Sequence, residues 1–142
     1  MVFHFDSPLG PITYDWDGEV CHSITLDTCN GDSQNDSVSE WLQHYFEGFN
    51  LSLPPLAEPA TSFQIKLRLG LLSIPAGEVR TYGELAEELG TSPRALGQAL
   101  GANLFPILIP CHRVIAIDSL GGYAYGTDWK KKLLNFEKSW PH

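Results

Sequence analysis

No lysine or arginine occurs before residue 66, so the ten acids of residues 1–61 stand unopposed, whereas residues 62–142 carry nine bases and seven acids. A chain whose charge changes so abruptly is expected to fold as two units rather than around one mixed core. The change coincides with Leu53-Pro54-Pro55 through Pro59, a proline-rich stretch without periodicity that reads as a linker over 54–61. The expected arrangement is an acidic N-terminal domain, 1–53, and a C-terminal domain, 62–142. The net charge of -8 argues against nucleic-acid binding for the chain as a whole. Its distribution reverses that argument, because the second half alone is net positive and the first would be repelled by phosphate. A salt-adapted composition is the other source of such acidity.

Further limits come from what the chain lacks. No apolar run approaches the roughly 20 residues needed to cross a bilayer, and the start has no basic-then-apolar leader pattern. A monomer in the cytoplasm, or in the nucleus of a eukaryote, with no membrane partner is the expectation. Three cysteines form no short disulfide framework and fit a reducing compartment.

In chain order, Val2 to Asp6 and Pro11 to Trp16 alternate as strands around the turn Ser7-Pro8-Leu9-Gly10, and Asp17-Gly18 leads into a third strand over Glu19 to Leu26. Thr28 to Asp36, with Asn30-Gly31, reads as an exposed loop. Ser37 with Glu40 makes a capping-box pattern, and Val38, Trp41, Leu42, Tyr45, Phe46 and Phe49 form the apolar stripe of the helix that follows. After the linker, Leu67, Leu71 and Ile74 mark a helix ended by Pro75 and Gly77. Thr81 and Glu84 open a second over Tyr82 to Leu89, and Ser92-Pro93 open a third with Ala95, Leu96, Ala99 and Leu100 inward. Two short helices across a glycine turn outline a helix-turn-helix. A last helix, Asp128 to Trp140, is expected to turn Trp129, Leu133, Phe136 and Trp140 inward and Lys130, Lys131 and Lys132 outward.

The chemistry concentrates in Ile107-Leu108-Ile109-Pro110-Cys111-His112-Arg113-Val114. The apolar triplet reads as a buried strand that stops at Pro110, which places Cys111 at a strand end with two basic neighbours to lower its pKa. A buried inert cysteine is the competing reading.

Pro110-Cys111-His112-Arg113-Val114 resembles the active-site motif of the methylated-DNA-protein-cysteine methyltransferases, which remove alkyl groups from O6 of guanine. The resemblance extends from about Ser62 to Glu137, and more weakly over Ser7 to Gly10. It implies an α/β protein with a ribonuclease H-like sheet-plus-helix domain before a helical domain bearing a winged helix-turn-helix-like motif. It also implies irreversible, single-turnover transfer to Cys111 from a guanine flipped out of double-stranded DNA, with no cofactor. By the same resemblance His112 takes the thiol proton through a water and Glu137, in Leu133-Leu134-x-x-Glu137, holds the imidazole. Asn103 pins the turn before the cysteine. Arg94 fills the hole left by the flipped base, Tyr82 presses on the phosphate, and Ala95 and Gly97 let the helix approach the minor groove. The pocket is implied to comprise the Val114 carbonyl, Tyr123, and the backbone at Ala124 and Tyr125.

Some relatives hold zinc in the first domain, but Cys21, Cys29, His4 and His22 match no closed tetrahedral spacing, so no metal is expected. Two departures stand out. Asn103-Leu104 replaces the usual Asn-Pro, and Ala124-Tyr125-Gly126 replaces Ser-Gly-Gly after a loop one residue shorter. A narrower pocket follows, one that takes methyl well and benzyl poorly. Two rival functions remain: a lesion-recognising DNA-binding relative without transfer, and a Cys-His-Glu hydrolase that turns over.

Overall fold

The computed structural model describes residues 1–28 and 31–140, which form two compact units, Met1–Glu58 and Pro59–Trp140. The described residues form a mixed α/β fold with five α-helices and two small sheets.

In the first unit, β1 (Val2–Ser7), β2 (Gly10–Trp16) and β3 (Cys21–Thr25) form an antiparallel sheet in that order. The Ser7 side chain accepts from the amides of Leu9 and Gly10 and closes the first turn. Asp17 does the same for Glu19 and Val20 at the second, next to a register shift at Asp15/Trp16. Alternation buries Ile12, Tyr14 and Trp16 on one face. α1 (Ser37–Phe46) adds Val38, Trp41, Leu42 and Tyr45 to this core.

Three expectations for this unit are corrected. The cap of α1 is Asp36 with Ser39, not Ser37 with Glu40: Asp36 accepts from the Ser39 amide at 2.8 Å, and its own amide donates to Ser39 Oγ at 2.9 Å. The same carboxylate accepts from Tyr14 Oη at 2.7 Å, which ties the cap to the sheet. Phe49 does not extend the stripe, because the helix ends at Phe46, Gly48 turns the chain at φ 87°, and Phe49 is 58% exposed. Part of the stretch read as linker is no free tether: Cys21 donates to the Pro55 carbonyl and accepts from the Ala57 amide, both at 2.8 Å, so Leu56 bridges to β3. Proline gives up its own donor but leaves its carbonyl available to an edge strand. Cys29 and Asn30 lie outside the described residues. Cys21 is buried, and burial pushes its thiol up to about 12, so it is chemically quiet.

In the second unit, α2 (Ser62–Leu72), α3 (Tyr82–Leu89), α4 (Pro93–Gly101) and α5 (Thr127–Lys138) surround Leu67, Leu71, Ile74, Leu85, Leu96 and Leu133. Thr61, Thr81 and Ser92 cap the first three helices, each worth about 1 kcal/mol. The α3–α4 turn begins with Gly90 at φ 68°, a left-handed C-cap. Gly70 lets α2 and α3 approach: a Cβ there would lie 3.2 Å from Leu89 Cδ2. β4 (Arg80–Thr81) pairs in parallel with β5 (Val114–Ile115).

The apolar run before the cysteine is not a strand. Phe105 to Ile109 is a turn closed by the Ile109 amide on the Phe105 carbonyl at 2.9 Å, with Ile107 at φ 74°. A left-handed conformation is costly for a β-branched residue, and it is held here by complete burial. Pro110, at φ -79° and ψ 65°, then makes an inverse γ-turn in which Cys111 donates to the Ile109 carbonyl at 2.7 Å. Cys111–Arg113 is one 3-10 turn, and β5 comes after it. Strong hydrophobicity without alternation fits any buried backbone, which is why the strand reading failed.

The buried face of α5 is shifted from the expected one, of which Leu133 and Trp140 are buried as expected. Lys130, Leu133 and Glu137 are buried, at i, i+3 and i+7, while Trp129 and Phe136 are half-buried flanks. Among the described residues, no helix is long and apolar enough to cross a membrane.

Candidate active site

The consecutive turns before β5 bring Cys111 between the end of α4 and the start of α5. Cys111 is 6% exposed and lines a cavity of about 240 Å³. α4 contributes Gly97, Leu100 and Gly101 to the lining, and the loop before α5 contributes Gly122, Tyr123 and Ala124. Tyr82, at the start of α3, completes it. Tyr82 fits because Gly121 has no side chain: a Cβ there would stand 2.8 Å from Tyr82 Oη.

Asn103 is the residue around which the cysteine segment turns. Its side-chain amide donates to the Ile109 carbonyl at 2.9 Å and to Cys111 Sγ at 3.1 Å, and its side-chain oxygen accepts from the Phe105 amide at 3.0 Å. Leu104 is 55% exposed and takes no part in this network.

Behind the sulfur lies a fully buried ionic cluster. His112 Nε2 sits 2.8 Å from Glu137 Oε2, while Arg113 donates through Nε to Oε1 at 2.9 Å and through Nη2 to Oε2 at 2.7 Å. Arg113 Nη1 also holds the Ile74 carbonyl at 2.7 Å, so the cluster ties together α5, the cysteine turn and the end of α2. Burial alone would raise the Glu137 carboxyl, but hydrogen bonds and charge from His112 and Arg113 hold it down at about 2. Glu137 is therefore an ionised acceptor, and His112 Nε2 must carry the hydrogen. Burial also keeps the imidazole below its ordinary pKa of 6.5, hence neutral. That leaves Nδ1, buried and without a partner among the described residues, as the lone-pair base.

The thiol differs from its sequence-based expectation. Burial raises its pKa above the ordinary 9, against opposing help from Asn103, Tyr123 and Lys130. His112 and Arg113 do not activate it by proximity, because Glu137 absorbs both. The resting group is a thiol, protected from adventitious oxidation until a base takes its proton.

Of the other predicted residues, Arg94 is exposed in the first turn of α4, Ala95 is half-buried beside it, and Gly97 reaches the cavity. Val114 is wholly buried and outside the lining. Tyr125 is also outside the lining; its hydroxyl donates to the Asn103 carbonyl at 3.1 Å.

Lys130 was missed by sequence reasoning, which placed it with its neighbours on an outer face. It is 1% exposed, and its ammonium donates to the Val114 carbonyl at 2.7 Å and the Gly122 carbonyl at 2.9 Å. Burial lowers it to about 8, while Cys111 opposes that shift. The helical offset was the available signal: Lys130 is seven residues before Glu137, on the same face. Lys130→Met should cost about 1–3 kcal/mol by leaving the buried Val114 carbonyl without its donor. It should also slow alkylation of Cys111 by iodoacetamide at a fixed pH near 8, since the cation that favours the thiolate is gone.

A cysteine with a fixed imidazole base and a base-sized cavity beside a helix pair defines a thiol group-transfer protein. A model of the 6-O-methylguanine DNA methyltransferase DNA-binding domain matches residues 62–139. A methylated-DNA–protein-cysteine methyltransferase of Saccharolobus islandicus is 40% identical over 141 residues, covering 94% of this chain and 92% of its own. The Mycobacterium tuberculosis OGT crystallised with DNA superposes with a TM-score of 0.81 at 34% identity, over 97% of this chain and 93% of that one. The O6-methylguanine-DNA methyltransferase of Pyrococcus kodakaraensis gives 0.81 at 30% identity, over 96% and 99%. The chain belongs to the methylated-DNA–protein-cysteine methyltransferase family.

Proposed function

We propose that the protein repairs double-stranded DNA by moving the alkyl group from O6 of a flipped-out guanine onto Cys111, irreversibly and once per molecule. The observation that carries this reading is the Cys111 sulfur on a cavity shared with α4, backed by an imidazole whose Nδ1 is the only ring nitrogen able to take a proton. His112 removes the thiol proton, directly or through water. The S–C bond forms as the C–O6 bond breaks, the bonding pair leaves with the purine, and the purine takes up one proton, so the proton count closes. The thioether has no route back, which makes the reaction suicidal.

In this reading Tyr82, Tyr123 and Ala124 receive the base, whereas Val114 and Tyr125 stand outside the lining and the Val114 carbonyl is engaged by Lys130. Arg94 occupies the gap in the stack, and unstacking costs a few kcal/mol that a planar cation offsets. The first unit is read as ribonuclease H-like, and α3–α4 with the short β4–β5 sheet as a winged helix-turn-helix. A monomer in the cytoplasm, or the nucleus of a eukaryote, would meet its substrate. Methyl-labelled O6-methylguanine duplex mixed with the protein should leave one label per protein molecule. Binding without labelling, or several turnovers, would favour the lesion-binding or the hydrolase alternative.

The glycines of α4 supply a separate test. A Cβ on Gly97 would meet nothing within 4 Å, so nothing inside the protein requires glycine there. Gly97→Ala should therefore stabilise the fold by about 0.5–1 kcal/mol. It should weaken duplex binding, measured by fluorescence anisotropy, because the added methyl stands where the sugar-phosphate surface approaches.

A further inference from the structure

We propose that Gln98 reads the base pair beside the lesion through its minor-groove edge, so that a neighbouring pair bearing the guanine 2-amino group speeds alkyl transfer. The proposal rests on the reading of the site as an O6-alkylguanine acceptor for double-stranded DNA.

α4 buries Leu96, Ala99 and Leu100 and turns Arg94, Gly97, Gln98 and Gly101 outward. Gly97 and Gly101 line the cavity that holds Cys111, so a base entering it passes this face, and the duplex it leaves lies across the same face. Packing requires neither glycine, since a Cβ on either would meet nothing within 4 Å. With those two bare, Arg94 and Gln98, one turn apart, are the side chains that project from the middle of the face. No hydrogen bond among the described residues engages the Gln98 amide.

The bare face also selects the groove. A helix with ordinary side chains is about 10–12 Å across, which the major groove at about 12 Å admits and the minor groove at about 6 Å does not. Without side chains at Gly97 and Gly101, α4 can press its backbone against the narrower groove and send Arg94 and Gln98 into it. With Arg94 in the gap left by the flipped guanine, Gln98 stands about 6 Å further along the helix axis, at roughly 1.5 Å per residue, within reach of a flanking pair. Its uncharged amide gains little from phosphate, but it carries both an acceptor oxygen and hydrogens to donate. The minor-groove edge of an A·T pair offers acceptors alone and leaves the glutamine oxygen unmatched. A G·C pair adds the guanine 2-amino donor and satisfies both ends of the amide.

The test measures second-order rate constants for transfer, read as protein mass, from duplexes in which the pair on each side of O6-methylguanine is varied in turn. Wild type should react about fivefold faster beside G·C than beside inosine·C at one of the two positions, the scale of one hydrogen bond. Inosine lacks only the 2-amino group, and its weaker pairing would ease flipping, so a slower reaction there does not come from duplex stability. 2,6-Diaminopurine·T, which carries that group, should outrun A·T by a similar factor. Gln98→Met, with an exposed side chain of similar length and no amide, should remove both differences without changing the melting temperature. Wild-type rates that ignore the 2-amino group at both positions, or a preference that persists in Gln98→Met, would overturn the role of Gln98 while leaving alkyl transfer intact. No transfer from any duplex would overturn the acceptor reading, and the role of Gln98 with it.

Discussion

A Cys111→Ala variant should take up no label from O6-methylguanine duplex, yet bind that duplex about as tightly as wild type. The two halves of this expectation have separate grounds. Transfer needs a lone pair on the atom that attacks carbon, and alanine offers none, so the loss is complete rather than partial. Binding relies on phosphate contacts and on the base cavity, to which the sulfur adds little area. The fold should tolerate the change at a cost of about 1 kcal/mol. Asn103 loses one weak acceptor, the sulfur, and keeps the Ile109 carbonyl. Cys21 cannot substitute, being buried with a thiol pushed up to about 12. Labelled protein recovered from the variant would remove Cys111 from the role given to it. Mass spectrometry of the protein and a gel-shift titration together decide the matter.

What could be read from residues alone divides by the kind of signal each element carries. α3 and α4 were legible end to end because their caps are local: Thr81 reaches Glu84 and Ser92 reaches Ala95, within one turn. The three strands were legible for a similar reason, since Ser7 and Asp17 close their turns without help from elsewhere. The approach to Cys111 was not, because its shape is set at a distance. Ile107 holds a left-handed backbone only because it is enclosed on all sides, and Asn103 organises the segment through bonds to residues two to eight positions on. Lys130 was hidden for another reason. A run of three lysines reads as a solvated face, and only the packing of α5 reveals that one of them points inward at two carbonyls. The family resemblance pointed to Asn103, Cys111, His112 and Glu137, which the fold brings together in pairs, and to Val114 and Tyr125, which do not line the cavity. It did not give the thiol's resting state, which depends on Glu137 absorbing both basic neighbours.

Replacing Glu137 should have the largest effect on stability of any single change in the second unit. Its carboxylate is wholly buried and accepts from Arg113 twice and from His112 once. Glu137→Ala leaves the Arg113 guanidinium buried beside a void, and breaking a buried pair by removing one partner costs about 3–5 kcal/mol. Because Arg113 also holds the Ile74 carbonyl, the loss spreads to the end of α2. Glu137→Gln separates chemistry from folding. Its amide fills the same volume, but its NH2 must face either the guanidinium or His112 Nε2. If it donates to Nε2, the imidazole hydrogen moves to Nδ1, and the base that serves the thiol is gone. Transfer by this variant should fall by about 10²-fold or more, the usual contribution of a general base, with a smaller stability loss than in the alanine variant. The pH dependence of wild-type stability has the same origin. Glu137 is held at about 2, against 4.5 unfolded, so its contribution is present above 4.5 and is lost as pH falls toward 2. His112 is held below 6.5, so the unfolded chain binds a proton first and stability begins to fall as pH drops through 6.5. Both act in the same direction, and urea melts of wild type between pH 7 and 4 should show a steady decline. In Glu137→Ala the decline between 4.5 and 4 should flatten, since no carboxylate at that position remains to be protonated; an unchanged slope there would place the acid sensitivity elsewhere.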